Sequence, residues 1–178
     1  MCIRDRLELI KRGISKYQNV NNYNLEELRL RFLEIYDSCL LNKTDFYENV
    51  LDSLEKLKQM NFTLAICSNK PELLTKRIIK GLNATNYFKT ITGGDTFNYR
   101  KPDSRHLEKT ILQSGKKIEQ AIMIGDSEND ILCANALNMP SIVVSFGYSK
   151  IPVKDLKADI IMSNYKDLIS HIQEINNI

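Results

Sequence analysis

The chain has 178 residues, 43% of them hydrophobic and 26% charged, with a formal net charge of +3. That length and balance suit one globular domain with an appendage, and the scatter of Lys and Arg among acids excludes the basic stripe of a nucleic-acid binder. No apolar run approaches the roughly 18 residues that span a bilayer, and residues 1–6 lack the hydrophobic stretch of a secretory leader, so no membrane association is expected and the cytoplasm is the default location.

The first third reads as helical. Leu7 to Tyr17 has helix spacing, Asn19, Asn21, Asn22 and Asn24 form a polar break suited to capping, and Leu25, Leu28, Phe32, Ile35, Tyr36 and Cys39 recur as an apolar stripe expected to be core. Arg29, Arg31, Lys43 and Lys11 are expected on solvated faces. Thr44 and Asp45 mark a second break. From there helices and short strands alternate. Val50 to Met60 is a predicted helix and Phe62 to Cys67 a strand; Pro71 fits the first turn of a helix reaching about Leu82. Lys89 to Thr92 is a strand closed by Gly93 and Gly94, and Ser104 to Gln113 a helix. Ala121 to Ile124 is a strand closed by Gly125, Ser127 to Leu137 a helix, and Ser141 to Ser145 a strand. Asp159 to Met162 and Tyr165 to Ile175 complete the series as strand and helix. Cys2, Cys39, Cys67 and Cys133 lack the paired spacing of a zinc or redox site and are expected to be buried free thiols. His106 and His171 have no partner pattern and are expected at the surface or partly buried.

Such alternation predicts an α/β fold: a mainly parallel sheet with helices on both faces, whose ligands bind beyond the carboxyl ends of the strands. Three strand ends there carry polar groups. Ser68 and Asn69 follow the strand ending at Cys67, where a hydroxyl suits a phosphoryl oxygen or, more plainly, a helix cap. Lys101, restrained by Pro102, offers a compact ammonium, although a solvated loop lysine is the commoner use of that pair. Asp126 and Asp130 lie four apart, on one face of a helix that follows Gly125. A magnesium ion would relieve their repulsion; the structural alternative is that Asp126 or Ser127 caps the helix.

Taken together, Ser68-Asn69, Lys101-Pro102 and Gly125-Asp126 with Asp130 resemble the second, third and fourth motifs of the haloacid-dehalogenase superfamily. Thr92-Gly93-Gly94-Asp95 and Phe146-Gly147-Tyr148 are similar to its phosphoglycolate phosphatase branch. The resemblance implies a Rossmann-like core at residues 46–178 and the remainder of a helical cap at residues 1–45. It implies a magnesium-dependent phosphatase acting on a small phosphorylated metabolite through a phospho-aspartyl intermediate, with phosphoglycolate the first substrate to test. In that scheme Ser68 binds the phosphoryl group, Asn69 supports its loop, and Lys101 balances charge. Asp126 holds the metal, and Asp130 acts through the metal's outer shell or by positioning Lys101.

The family's first motif, two aspartates separated by one residue and followed by Gly-Thr, occurs nowhere in the chain. Asp5 stands between Arg4 and Arg6 without a preceding apolar strand, and residues 1–6 resemble a translated adaptor remnant, so an incomplete reading frame is expected. The strand that would carry this motif lies mid-sheet in the family, between the strands ending at Ser68 and Asp126. Without it two edges face a gap, each unpaired buried peptide group costs about 1–3 kcal/mol, and an inactive, poorly soluble chain is expected. Ser104 stands where the lysine motif often has a second proline. Rival readings are a sugar-phosphate mutase of the same superfamily (beta-phosphoglucomutase-like), a non-catalytic phosphate or metal binder, and a receiver-type signalling domain, whose motifs come in a different order.

Overall fold

The computed structural model describes Gly13, Ser15, Lys16 and residues 24–176; the helix predicted over residues 7–17 falls mostly outside them, as does Cys2. Helix α1 (Leu25–Ser38) starts at Asn24, whose side chain accepts hydrogen bonds from the amides of Glu26 and Glu27, satisfying two of the donors that a helix start leaves open. Its apolar stripe is not core: Ile35 is 54% exposed, Cys39 is exposed, and Leu25, Leu28, Phe32 and Tyr36 are only partly covered. Spacing makes a helix amphipathic, but what lies opposite decides burial.

The α/β part follows the predicted order closely: α2 (Val50–Gln59), β1 (Leu64–Cys67), α3 (Glu72–Gly81), β2 (Phe88–Thr92), α4 (Ser104–Gln113), β3 (Met123–Gly125), α5 (Glu128–Ala136), β4 (Ser141–Val144), β5 (Ile160–Met162) and α6 (Leu168–Asn176). Helices α2 to α5 all end in the same way. A residue in the left-handed conformation (Asn61, Asn83, Gly115 and Asn138) follows the helix, and the next amide reaches back to the helix: Phe62 N to Leu57 O, Ala84 N to Ile79 O, Lys116 N to Ile111 O, Met139 N to Ala134 O. This satisfies otherwise open carbonyls and turns the chain back toward the sheet.

All strand pairs are parallel, as helical crossovers require. They form two ladders, β1–β2 and β3–β4–β5, and among the described residues no strand joins β1 to β3. β4 is buried along its length and alternates its side chains between two layers. Ile142 and Val144 pack with Leu57 of α2 and Leu168 and Ile172 of α6; Val143 packs with Ile131 of α5 and Leu156. Leu107 and Ile111 of α4 join Met123, Cys133 and Ala134 in the second layer, so helices cover both faces. Cys133 is buried, Cys67 half-buried and Cys39 exposed, which departs from the expectation that all would be buried. His106 also departs: it is fully buried against Phe97, edge to face with ring centroids 5.6 Å apart.

Candidate active site

β1 ends at Cys67, and the Ser68 amide extends the ladder by donating to Thr92 O at 3.0 Å. The Ser68 hydroxyl accepts from the Lys70 amide at 3.1 Å, which bends the loop back on itself. Asn69 points away from the cavity described below: its side-chain amide donates to Lys101 O at 2.9 Å, tying the Ser68 loop to the lysine loop. Gly93 and Gly94 make this arrangement possible. A Cβ on Gly93 would lie 2.1 Å from Glu72 N, and one on Gly94 2.5 Å from Asn69 O. Asp95 then accepts from the Glu72 amide at 2.7 Å, supplying the α3 cap that Pro71 cannot. Thus the Gly-Gly-Asp run, noticed in the sequence only as a likeness, packs the Ser68 loop. Lys70 meets the hydroxyl of Tyr36 on α1, with its ammonium 4.8 Å from the ring centroid.

Lys101, 8% exposed, follows a loop closed by a cis peptide to Pro102. Its ammonium donates to Asp130 Oδ1 and to Cys67 O, each at 2.5 Å. Burial, the largest influence on Lys101, works against its charge, but Asp130 more than restores it and the net direction is upward. Asp130, 3% exposed, uses its other oxygen to accept from the Asp126 amide (3.2 Å), the Ser127 amide (3.1 Å) and the Ser127 hydroxyl (2.8 Å). Burial pushes its carboxyl up; Lys101 and these donors outweigh that and hold it below its ordinary value. Gly125 is small for a reason, since a Cβ there would sit 2.2 Å from Asp130 Cβ. Asp130 therefore both closes the start of α5 and neutralises Lys101.

Asp126 stands at the exposed rim beyond β3. Its carboxyl is held above the ordinary range, first by loss of water around it and second by the charge of Asp130. Its carbonyl accepts from the Tyr148 amide at 3.0 Å, and a Cβ on Gly147 would come within 2.1 Å of that carbonyl, so the Phe146-Gly147-Tyr148 run sets the Asp126 backbone.

Ser68, Lys101, Asp126 and Asp130 line one cavity of about 830 Å³ between the two ladders. Four of the sequence-predicted residues thus converge, and Asn69 supports them from behind. Sequence reading named Phe146 but missed the aromatic wall it belongs to: Tyr47 meets Phe146 at a tilt with centroids 5.0 Å apart, Phe146 meets Tyr165 edge to face at 6.0 Å, and burial followed by the charge of Asp126 raises the Tyr165 hydroxyl. These rings are separated by long stretches of chain, so no local pattern announces their meeting. Among the described residues no group of three or more His, Cys, Asp or Glu side chains converges. The Asp126 carboxylate suits a hard cation that takes one or two carboxylates and completes its shell with water and phosphate oxygens, while both Asp130 oxygens already accept from Lys101, Asp126 and Ser127.

The sequence pattern of the haloacid dehalogenase-like hydrolases matches residues 5–144. A phosphoglycolate phosphatase of Agrobacterium fabrum is 37% identical over 161 residues, which is 90% of this chain and 69% of the relative. One of Mesorhizobium japonicum is 35% identical and is spanned over 63% of its length, so the chain covers about two thirds of these relatives. Among solved structures, a Haemophilus somnus protein described as a predicted phosphoglycolate phosphatase superposes with a TM-score of 0.82 at 24% identity, covering 94% of this chain and 74% of that one. A Thermotoga maritima protein provisionally named a beta-phosphoglucomutase gives 0.77 at 16% identity, covering 98% and 79%; at such identities the likeness speaks for the fold alone. The motif order, the parallel ladders and these matches lead to one assignment: the chain belongs to the haloacid dehalogenase-like hydrolases.

Proposed function

We propose that the chain is the larger part of a magnesium-dependent phosphatase for a small phosphorylated metabolite, phosphoglycolate first among them. In this reading residues 46–178 are the catalytic core, residues 1–45 the remainder of a helical cap, and the cytoplasm the site of action. The observation that carries it is the convergence of Ser68, Lys101, Asp126 and Asp130 on one cavity at the strand ends. Ser68, whose hydroxyl accepts from the Lys70 amide, would donate to a phosphoryl oxygen, and Asn69 ties the two loops together through Lys101 O. The buried Lys101 keeps its charge through Asp130, so a fixed ammonium faces the cavity without needing solvent to rearrange. Asp126, whose carboxyl is pushed up first by burial and then by the charge of Asp130, is the residue to hold magnesium. That ion would offset the negative charge of the phosphate group. Both Asp130 oxygens are already engaged, which favours its positioning of Lys101 over direct ligation.

The nucleophile implied by the family is an aspartate outside these 178 residues. It would attack phosphorus, release the alcohol, and return to carboxylate when water takes the phosphoryl group as inorganic phosphate. The 178-residue chain alone is therefore expected to release no phosphate. The test measures phosphate release from phosphoglycolate and p-nitrophenyl phosphate, with and without magnesium. It compares the chain with a chimera carrying the amino-terminal strand of the Agrobacterium relative. Activity in the chimera that is lost in its Lys101→Met form supports the reading; magnesium-dependent hydrolysis by the bare chain sinks it.

A further inference from the structure

We propose that His106 is a positioning residue for Lys101. Its neutral ring is the floor on which the lysine loop sits, and a proton taken up there lifts the loop and withdraws the ammonium from the cavity. Residues 97–103 fold back over the first turns of α4. Phe97 meets the His106 ring edge to face at 5.6 Å and stacks on Tyr99 at 5.8 Å, and the Arg105 guanidinium lies 4.6 Å from the Tyr99 centroid. The backbone follows the same path: Asp103 N donates to Arg100 O at 2.9 Å, and His106 N donates to Asp103 O at 3.2 Å. Lys101 lies inside that turn, and Asn69 holds its carbonyl from the other side. His106 is the fully buried centre of the contact between loop and helix.

Packing alone does not call for histidine at this place. Neither ring nitrogen meets a protein partner among the described residues, so the imidazole carries a desolvation cost that leucine or phenylalanine would not. What it adds is a proton site close to a fixed ammonium. Lys101 opposes a second positive charge on the ring, and Asp103, the acid that favours one, is already gripped by Arg105 at 2.6 and 2.9 Å. On α4 itself Lys109 lies over the Phe97 and Tyr99 rings, and Glu108, two residues on, belongs to another face of the helix. Of the elements packed on α4, β1 brings Cys67, and α5 brings Cys133, Asp130 held by Lys101, and Glu128 held by Ser149 and Lys150. β2 and the turn at 118–120 bring the exposed Lys89 and Glu119. An imidazolium there has an ammonium nearby and no uncommitted carboxylate, so it leaves for water and the loop that covers it lifts. Lys101 then loses the backbone path that carries it between Asp130 and Cys67 O. The movement of Lys101 stands by itself; its consequence for phosphate rests on the phosphatase reading.

The test follows the full chain by nuclear magnetic resonance from about pH 7.5 to about pH 5, with its two histidines told apart by His171→Gln. The His106 ring is expected to titrate with a midpoint below the ordinary 6.5. The Lys101 ammonium and the Asn69 side-chain amide, which reports the bond to Lys101 O, should shift with that same midpoint while the amides of β4 stay in place. His106→Phe keeps a ring under Phe97 but takes no proton, so its Lys101 and Asn69 signals should match wild type at neutral pH and stay there on acidification. Phe97→Ala uncovers the imidazole without replacing it, and the midpoint should rise toward 6.5, because burial is the largest influence on the ring. The proposal is overturned if Lys101 and Asn69 titrate alike in wild type and His106→Phe, if they stay still while the ring titrates, if every amide shifts together as in global unfolding, or if Phe97→Ala leaves the midpoint unchanged. Sulfate, a dianion over this whole range, separates this proposal from the phosphatase reading. One pH unit below the midpoint about one ring in eleven is neutral, so wild-type sulfate affinity should fall roughly tenfold, and His106→Phe should keep it. That result supports both. If Lys101 follows the ring while sulfate perturbs neither Ser68 nor Lys101, the positioning role stands and the phosphatase reading falls. If sulfate binds at Ser68 and Lys101 and its acid loss is the same in His106→Phe, the positioning role falls and the phosphatase reading stands.

Discussion

Lys101 keeps a full charge in a place with almost no water because Asp130 stands 2.5 Å away, and Asp130 keeps its own because three further donors converge on it. Removing one member of a buried pair strands the other, so Lys101→Met or Asp130→Asn is expected to cost about 3–5 kcal/mol in denaturant unfolding. The pair also has a pH signature. Asp130 sits below its ordinary 3.8 in the folded chain, so its contribution is full above that value and fades as the pH falls through the lower folded one. His106 adds a second, higher limb. Both ring nitrogens lack partners among the described residues, and burial first, then Lys101, holds it below its ordinary 6.5. An unfolded histidine takes a proton that the folded one refuses, so stability should decline as the pH drops below 6.5. His106→Leu is expected to flatten that decline in melts between about pH 7 and 5, because it removes the titrating group. Asp126 was legible because a polar residue just past an apolar run points to the ligand side of a parallel sheet, whereas Lys101, in the long loop after β2, was legible only through the order of the motifs it resembles. The depth of His106 was not, since periodicity assigns a residue to a face of its helix but not to a distance from water.

Four helices hand the chain to the next strand through one recurring turn, and three of these use asparagine at the left-handed position. Asparagine tolerates the left-handed conformation through its short polar side chain, whereas a β-branched residue there is strained. Asn138→Val should therefore lose about 1–2 kcal/mol, while Asn138→Gly should stay within about 0.5 kcal/mol, as read by thermal melts. Gly147 is a stricter case. A methyl group would press on the Asp126 carbonyl, which is backbone and has nowhere to yield, so Gly147→Ala is expected to displace the Asp126 loop. Nuclear magnetic resonance shifts at Asp126 and Tyr148 would register that displacement, and their invariance would refute it. Strand and helix limits came within a residue or two of the prediction at most positions, because each short apolar run is bounded by a polar cap or a turn.

At the level of the whole chain, the division into two ladders governs cooperativity. β3, β4 and β5 share a core with α5 and α6, while β1 and β2 are held to them chiefly through α4 and the Lys101–Asp130 pair. Unfolding is expected to depart from two-state behaviour: exchange of β1 and β2 amides should open at lower denaturant than that of β4. Coincident transitions would show that the ladders act as one unit. The open edges also predict self-association, measurable by sedimentation as a weight-average mass that rises with concentration. The parallel order was readable from the alternation of helices and strands. The exposure of Ile35 was not, because a stripe on one helix does not reveal what faces it.

The unequal burial of the thiols offers a practical handle. Burial pushes Cys133 up to about 12 and raises Cys67 as well, which keeps both in the unreactive protonated form, while Cys39 lies exposed just past α1. With Cys2 replaced by serine, a maleimide dye should therefore label Cys39 well ahead of Cys67 and Cys133, giving a fluorescent reporter on the helical segment that leaves the strand-end chemistry untouched.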